Sequence, residues 1–439
     1  MLYALMNEIY KNKLFKKRTL KEYGSLLFIA GIFFLPSTLL LGILFLLPAS
    51  IMGAFLQEKS FFKDRWNYSF LSFGALILIS TFLQNYILLN NFDTIWDPKL
   101  SIIGLGNWLP FIWFFWALQP FLNSKKARLF FSIALLSGSF PVLITGYGQY
   151  FFNWTGPFET LNGLIIWYQR PIKIPGGLSG LFNNQNYAGT WLNFIWPFCI
   201  VFFLEKRNSF FNRMISFGFL ISVGFAGFLT YSRNAWLGLL TSSLIITGKK
   251  RVLFIILAVG LIFIFLFSPI FPSALLENIR NILPEKIFLE FSHEGYVGLD
   301  VTRTQIFSSA IELIKNSPIF GIGAGAFSEI FDFQTGIWKG HSHNLLLELA
   351  ISYGLPATIL IFITFSFIII LSGKVIFLQK RLDIISPIDK AIWTSLFFFL
   401  ISQLADIQYF DGKISTVMWI FLAALKKIIN SSNNSILES

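Results

Sequence analysis

Long apolar runs alternate with short polar connections along most of the chain. The runs lie at about 25–55, 67–89, 108–122, 129–150, 187–204, 214–231, 234–247, 252–268, 344–372, 391–409 and 414–425. One crossing of a bilayer by a helix takes roughly 20 apolar residues. The first run is longer than that and is interrupted near Pro36, so it reads as a tight helical hairpin. The pattern predicts an all-α, polytopic transmembrane helical bundle of about twelve spans, one integral-membrane domain over residues 1–439. Two polar segments stand out for length, 151–186 and 269–343, read as a first outer loop and a large periplasmic loop.

Within the second segment the spacing turns helical. Ile306, Ala310, Leu313 and Ile314 share one face, Thr302 is placed to cap the start, and Pro318 enforces a stop. This short amphipathic helix is expected to lie flat on the membrane with its apolar side down. The acidic residues near it, Glu285, Glu290, Glu294 and Asp300, read as a solvated rim. The Ser- and Asn-rich tail from Ile428 reads as a mobile end.

Charge gives the bundle a direction. Both flanks of the first run are basic, with Lys11, Lys13, Lys16, Lys17 and Arg18 before it and Lys59, Lys63 and Arg65 after it. Lys and Arg collect on the cytoplasmic side, so both flanks belong there, and a hairpin satisfies that where a single span does not. The same rule places inside the connections that hold Lys125, Lys126 and Arg128; Lys206, Arg207 and Arg213; Lys249, Lys250 and Arg251; Lys374, Lys380, Arg381 and Lys390; and Lys426 and Lys427. Both termini then face the cytoplasm. No small-residue cleavage site follows the basic N-terminus, which reads as a retained anchor.

Composition agrees: 55% of residues are hydrophobic and 13% charged, against about 25% charged in soluble domains. The net charge of +12 follows from the membrane rule and gives no reason to expect a nucleic-acid partner. A single cysteine, Cys199, excludes an intramolecular disulfide and most cysteine metal sites.

Candidate chemistry gathers on the outer side. Arg233 stands between two apolar runs joined by almost no loop, where a cation costs about 2.5–3.5 kcal/mol to insert. Binding an anion and snorkelling to outer headgroups both account for it. Arg303 opens the amphipathic helix, where an anion meets its guanidinium and the free N–H groups of the first turn; a plain surface arginine is the other reading. Arg170 and Lys173 flank Pro171 and suit contact with headgroups or a phosphate.

The glycine-rich stretch 176–186 either converges backbone N–H groups or serves as a flexible entry loop, with Asn186 as an N-cap. The stretch 321–327 has neither the Gly-Lys-Ser/Thr nor the βαβ setting of a nucleotide loop. His341 and His343 end the long loop; with only His293 elsewhere and no thiolates to help, no metal is expected there. An imidazole at an outer surface suits proton transfer from a hydroxyl. Trp154, Trp167, Tyr168 and Trp338 are placed to stack on sugars or to anchor at the interface.

Four motifs in order carry a resemblance. They are Phe-Asn-Asn-Gln-Asn-Tyr-Ala at 182–188, Tyr-Ser-Arg-Asn-Ala-Trp-Leu-Gly at 231–238, Pro-Ile-Phe-Gly-Ile-Gly-Ala-Gly-Ala-Phe at 318–327, and His343-Asn344 with Gly354 beyond. Together they resemble the O-antigen ligase/polymerase family over roughly residues 176–360. The family pattern usually closes with Gly, Thr or Tyr where this chain has Ala357.

The resemblance implies a bacterial inner (plasma) membrane protein with its active face toward the periplasm. It implies metal-independent, inverting transfer of a glycan from undecaprenyl diphosphate to a glycan or lipid acceptor, as ligase or polymerase, with no cofactor. Beyond donor and acceptor, membrane lipids are the expected partners. Carried onto this chain, His343 takes the catalytic position and Arg233 and Arg303 hold the diphosphate. His341, Asn344, Asn186 and Arg170 are left as supporting residues. A transporter of a small anion or lipid-linked sugar is the alternative; it calls for broken helices and symmetric halves, and no internal symmetry stands out.

Overall fold

A computed structural model describes residues 19–86, 95–160, 165–167, 169–172, 176–205, 209–248, 301–379 and 385–437. The expected span at 252–268, the acidic rim at 285–300, His293, Lys173 and Tyr168 lie outside the described residues.

The first run is a hairpin. Helices α1 (Leu20–Phe34) and α2 (Leu39–Phe55) fold back at Pro36. Small residues let them meet closely: a Cβ on Gly31 would strike Leu46, and one on Gly42 would strike Leu35. Then follow α3 (Trp66–Tyr86), α4 (Leu100–Leu105), α5 (Leu109–Ala117), α6 (Lys125–Gly138) and α7 (Phe140–Phe152). A small antiparallel hairpin, β1 (Phe158–Thr160) with β2 (Ile165–Trp167), lies in the first loop segment. Trp167 Nε1 donates to Thr38 Oγ1 at 2.8 Å, tying this hairpin to the α1–α2 turn.

The second half holds α8 (Gln185–Leu204), α9 (Phe210–Leu229), α10 (Arg233–Thr247), α11 (Arg303–Asn316), α12 (Ala326–Thr335), α13 (Leu345–Tyr353), α14 (Leu355–Gly373), α15 (Pro387–Ser402) and α16 (Gly412–Leu437). Among the described residues, six helical stretches are long and apolar enough to cross a membrane: 66–86, 100–117, 125–152, 185–204, 210–229 and 355–378.

The bundle is built around α16. Its stretch Val417–Leu425 is apolar all round, and Val417, Trp419, Phe421 and Leu425 are wholly buried, as a helix without a polar face must be. Trp419 packs against Phe70, Phe115 and Phe365, which brings α3, α5 and α14 onto the central helix. The outer flank is the reverse of a soluble protein's. Leu44 and Leu47 on α2, Ile215 and Ile221 on α9, and Ile363 and Phe367 on α14 are all exposed. Lipid is the solvent that suits such faces.

Two expected elements are shorter than the apolar pattern suggested. The run 344–372 is broken at Gly354 into α13 and α14, because Gly354 takes a left-handed φ of 87°. The run 391–409 stops being helical at Ser402, since buried Gln403 turns its carbonyl oxygen to the N–H groups of Gln408 and Tyr409. Residues 403–411 are therefore a loop.

The amphipathic helix also needs correcting. α11 has the expected Thr302 cap, with Gln305 completing a capping box. Its apolar face, however, is covered by protein. Ile306, Ala310, Leu313 and Ile314 join Phe327, Ile330, Ala350 and Ile351 in a second core. α11 and α12 thus sit on α13, which offers a matching apolar surface.

Candidate active site

His343 precedes α13 with a φ of 55°, a left-handed conformation uncommon outside glycine. Three contacts hold it there. Asn344 caps α13 by accepting from the N–H groups of Leu346 and Leu347, at 2.9 and 3.2 Å. The N–H of Ser342 donates to the buried Glu348 carboxylate at 2.9 Å. The N–H of His343 donates to His341 Nδ1 at 3.1 Å, and the two rings meet edge to face. Asn344 is thus a cap, tied also to Leu404 through its amide.

The partner of His343 comes from the far end of α15. His343 Nδ1 and Asp406 Oδ1 are 2.7 Å apart. The other Asp406 oxygen accepts from Asn186 Nδ2 at 2.9 Å and from Gln408 Nε2 at 2.8 Å. Burial opposes charge on Asp406, but the His343 hydrogen bond and the electrostatic influence of His343, His341 and Arg303 outweigh it. The carboxyl is held below its ordinary range. An ionised Asp406 accepts a hydrogen bond from His343 Nδ1–H, which leaves Nε2 with its lone pair free. His341 moves the other way: burial, against the influence of the Asp406 carboxylate, lowers its pKa to about 4. It is neutral at neutral pH.

Asn186 is not the N-cap. α8 starts one residue earlier, and Asn184 accepts from the N–H groups of Asn186 and Tyr187. The Asn186 side chain is thereby free to reach Asp406. Nor is the stretch 176–186 a flexible loop or an anion cradle. Gln149 Oε1 takes the N–H groups of Ser179 and Gly180, both at 2.9 Å, and Gln185 takes that of Gly177. Gly177 presses on the carbonyl of Thr230, in the turn before Arg233.

The arginines are distributed unevenly. Arg303, exposed at the first position of α11, stands within electrostatic reach of Asp406. Arg233, also exposed, opens α10 behind the Ser232 cap. A Cβ on Gly189, one turn along α8 from Asn186, would touch Ser232 and Ala235, so Arg233 lies at the same end of the bundle. Arg170 is exposed, and its carbonyl accepts from Gln149 Nε2. Trp338 and Trp154 are both exposed, and Trp154 also packs against Gly148.

His341, His343 and Asp406 each bring a possible ligand atom within 4.8 Å of the others. Two of the nitrogens are engaged: His343 Nδ1 meets Asp406, and His341 Nδ1 accepts from the His343 backbone N–H.

Asp406, Gln403 and Gln408 are absent from the sequence reading because they fell in a run taken as a span. The signal was present: an acid within an apolar run is by default a functional candidate.

Residues 217–362 match the family model described as O-antigen ligase. That O-antigen ligase-like stretch covers about a third of the chain and contains Arg233, Arg303, His341, His343, Asn344 and Gly354. Asn186 and Asp406, which join His343 in one hydrogen-bonded cluster, lie on either side of it. No curated protein matches the chain.

Proposed function

We propose that the protein is a metal-independent, inverting glycosyltransferase of the bacterial inner membrane, working at the periplasmic face. It moves a glycan from undecaprenyl diphosphate to an acceptor hydroxyl on a glycan or lipid, as a ligase or polymerase. The observation that carries this reading is the Asn186–Asp406–His343 chain of hydrogen bonds, beside Arg303 and partly within the O-antigen ligase match.

In this reading Asp406 orients the imidazole and stabilises the imidazolium that forms, and His343 Nε2 takes the proton from the acceptor hydroxyl. The acceptor oxygen forms its bond to the anomeric carbon from the face opposite the lipid diphosphate. The bond from that carbon to the phosphate oxygen breaks, and the electron pair leaves with the diphosphate. Arg303 and Arg233 stabilise the gathering negative charge, a task for which a guanidinium suits two phosphate oxygens better than an ammonium does. His341, neutral, holds the His343 backbone.

An apolar groove lined by Leu345, Leu346, Phe362, Phe365, Leu400 and Leu404 starts beside Asn344 and runs between α13, α14 and α15. It supports a donor whose lipid chain stays in the bilayer.

The test is transfer in vesicles given lipid-linked glycan donor and acceptor. His343→Ala should abolish transfer with insertion and abundance unchanged. Asp406→Asn should lower it by about 10²-fold or more, as loss of a histidine-orienting acid does elsewhere. Normal transfer by either variant removes the proposed dyad.

A further inference from the structure

We propose a second binding site, for a phosphate-bearing lipid headgroup, at the end of the bundle opposite His343. It does not depend on the glycosyltransferase reading.

The site is a cleft of about 530 Å³ where three distant segments meet, residues 57–66, 119–123 and 427–431. That volume lies within the range of small-ligand sites. The position follows from α16. Lys413, in its first turn, donates to the Leu181 carbonyl on the His343 side at 2.8 Å. Lys427, fourteen residues on, lines the cleft about 21 Å further along the helix.

Four cations line the cleft, Lys59, Lys63, Arg65 and Lys427, against the acids Glu58 and Asp64. Asp64 is already committed. Its Oδ1 accepts from the N–H of Trp66 at 3.2 Å, and its Oδ2 pairs with the buried Lys426. Lys59 and Lys427 both stand near enough to Lys426 to disfavour its charge. The cations are therefore crowded, with Glu58 the one uncommitted acid among the described lining residues. The positive-inside rule puts Lys and Arg in such connections, but it gives no reason for Lys427 to join Lys59, Lys63 and Arg65 in one concavity. An anion does.

Two further features point to phosphate on a lipid. The 21-residue α3 begins at Trp66 in the cleft wall, adding the positive end of its dipole. Asn123 and Asn430 add neutral amide donors suited to phosphate oxygens. At the margin, Phe55 and Phe62 are 79% and 71% exposed, as side chains entering the acyl region beside a headgroup would be.

The experiment is retention of lipid by the full-length protein, measured by native mass spectrometry after reconstitution in phosphatidylcholine with a minor share of phosphatidic acid. Wild type should retain phosphatidic acid over phosphatidylcholine by about tenfold, an amount a few partly exposed charge contacts supply. Lys59→Gln with Lys63→Gln and Arg65→Gln should remove most of that preference. Lys59→Arg with Lys427→Arg should keep it, and so should His343→Ala, which separates this site from the transfer site. A second arm titrates inorganic pyrophosphate onto protein in pure phosphatidylcholine. Binding there without phosphatidic acid retention would overturn the lipid assignment and leave a soluble phosphate as ligand. Equal retention of both lipids with no pyrophosphate binding, or an unchanged preference in the triple variant, would overturn the site itself.

Discussion

At the scale of single residues, two histidines two positions apart are given opposite duties by their neighbours. His343 faces an ionised carboxylate, while His341 is half-buried and takes a backbone N–H instead. This has a consequence for stability. A histidine whose folded pKa lies below its ordinary 6.5 leaves the unfolded chain holding the extra proton as pH falls. Stability from His341 should therefore decline between pH 6.5 and about 4. Asp406, with its pKa lowered from 3.8, loses its contribution only at still lower pH. Thermal unfolding midpoints from pH 7 to 4.5 should show a slope that His341→Asn flattens. Asparagine can still accept the His343 N–H, so a slope unchanged in that variant would assign the proton to another group. Sequence alone exposed both histidines, but their difference depends on burial and on Asp406, which sits 63 residues away from His343.

At the scale of elements, the glycines of the 318–327 motif and Gly354 belong to one contact. Gly321 and Gly354 both have positive φ, and a Cβ on Gly354 would lie 2.0 Å from the Ile319 carbonyl oxygen. The loop before α12 thus packs on the junction of α13 and α14. Its glycines serve close approach of backbones, and the eleven-residue interval from His343 to Gly354 measures the length of α13. Gly354→Ala should destabilise the protein by more than about 1 kcal/mol from the left-handed backbone alone, with the clash in addition. A thermal unfolding midpoint in detergent as high as that of wild type would contradict this. Periodicity disclosed α11 and its cap correctly. It said nothing of what α11 would rest on, because a stripe of Ile and Leu suits lipid and protein equally well.

At the scale of the whole molecule, the two polar ends of the bundle differ in kind. One end carries His343, Asp406, Asn186 and Arg303; the other carries the buried Arg128–Asp389 pair, the Lys426–Asp64 pair and the basic cleft. Arg128 meets Asp389 through two parallel bonds, at 2.5 and 3.1 Å, and so joins the starts of α6 and α15. The proposed orientation puts the histidines outside and the cleft inside. Cys199, the single cysteine, is buried, which makes the background silent. Trp338→Cys should react with an impermeant maleimide in intact spheroplasts, and Lys59→Cys only after permeabilisation. The reverse pattern would turn the molecule over and remove the periplasmic reading.

Sequence by itself determined the solvent and the material of this protein, since apolar runs of bilayer length with little charge between them leave helices in lipid as the stable solution. It also marked His343, Arg233 and Arg303, because polar groups at a membrane boundary are costly enough to be conspicuous. Only the tertiary structure decided that Asp406 and Asn186 close on His343, that α11 is roofed onto α13, and that Lys427 joins Lys59, Lys63 and Arg65 in one cleft. Those are contacts between residues far apart in the chain, fixed by which faces pack together, and local pattern carries no record of them.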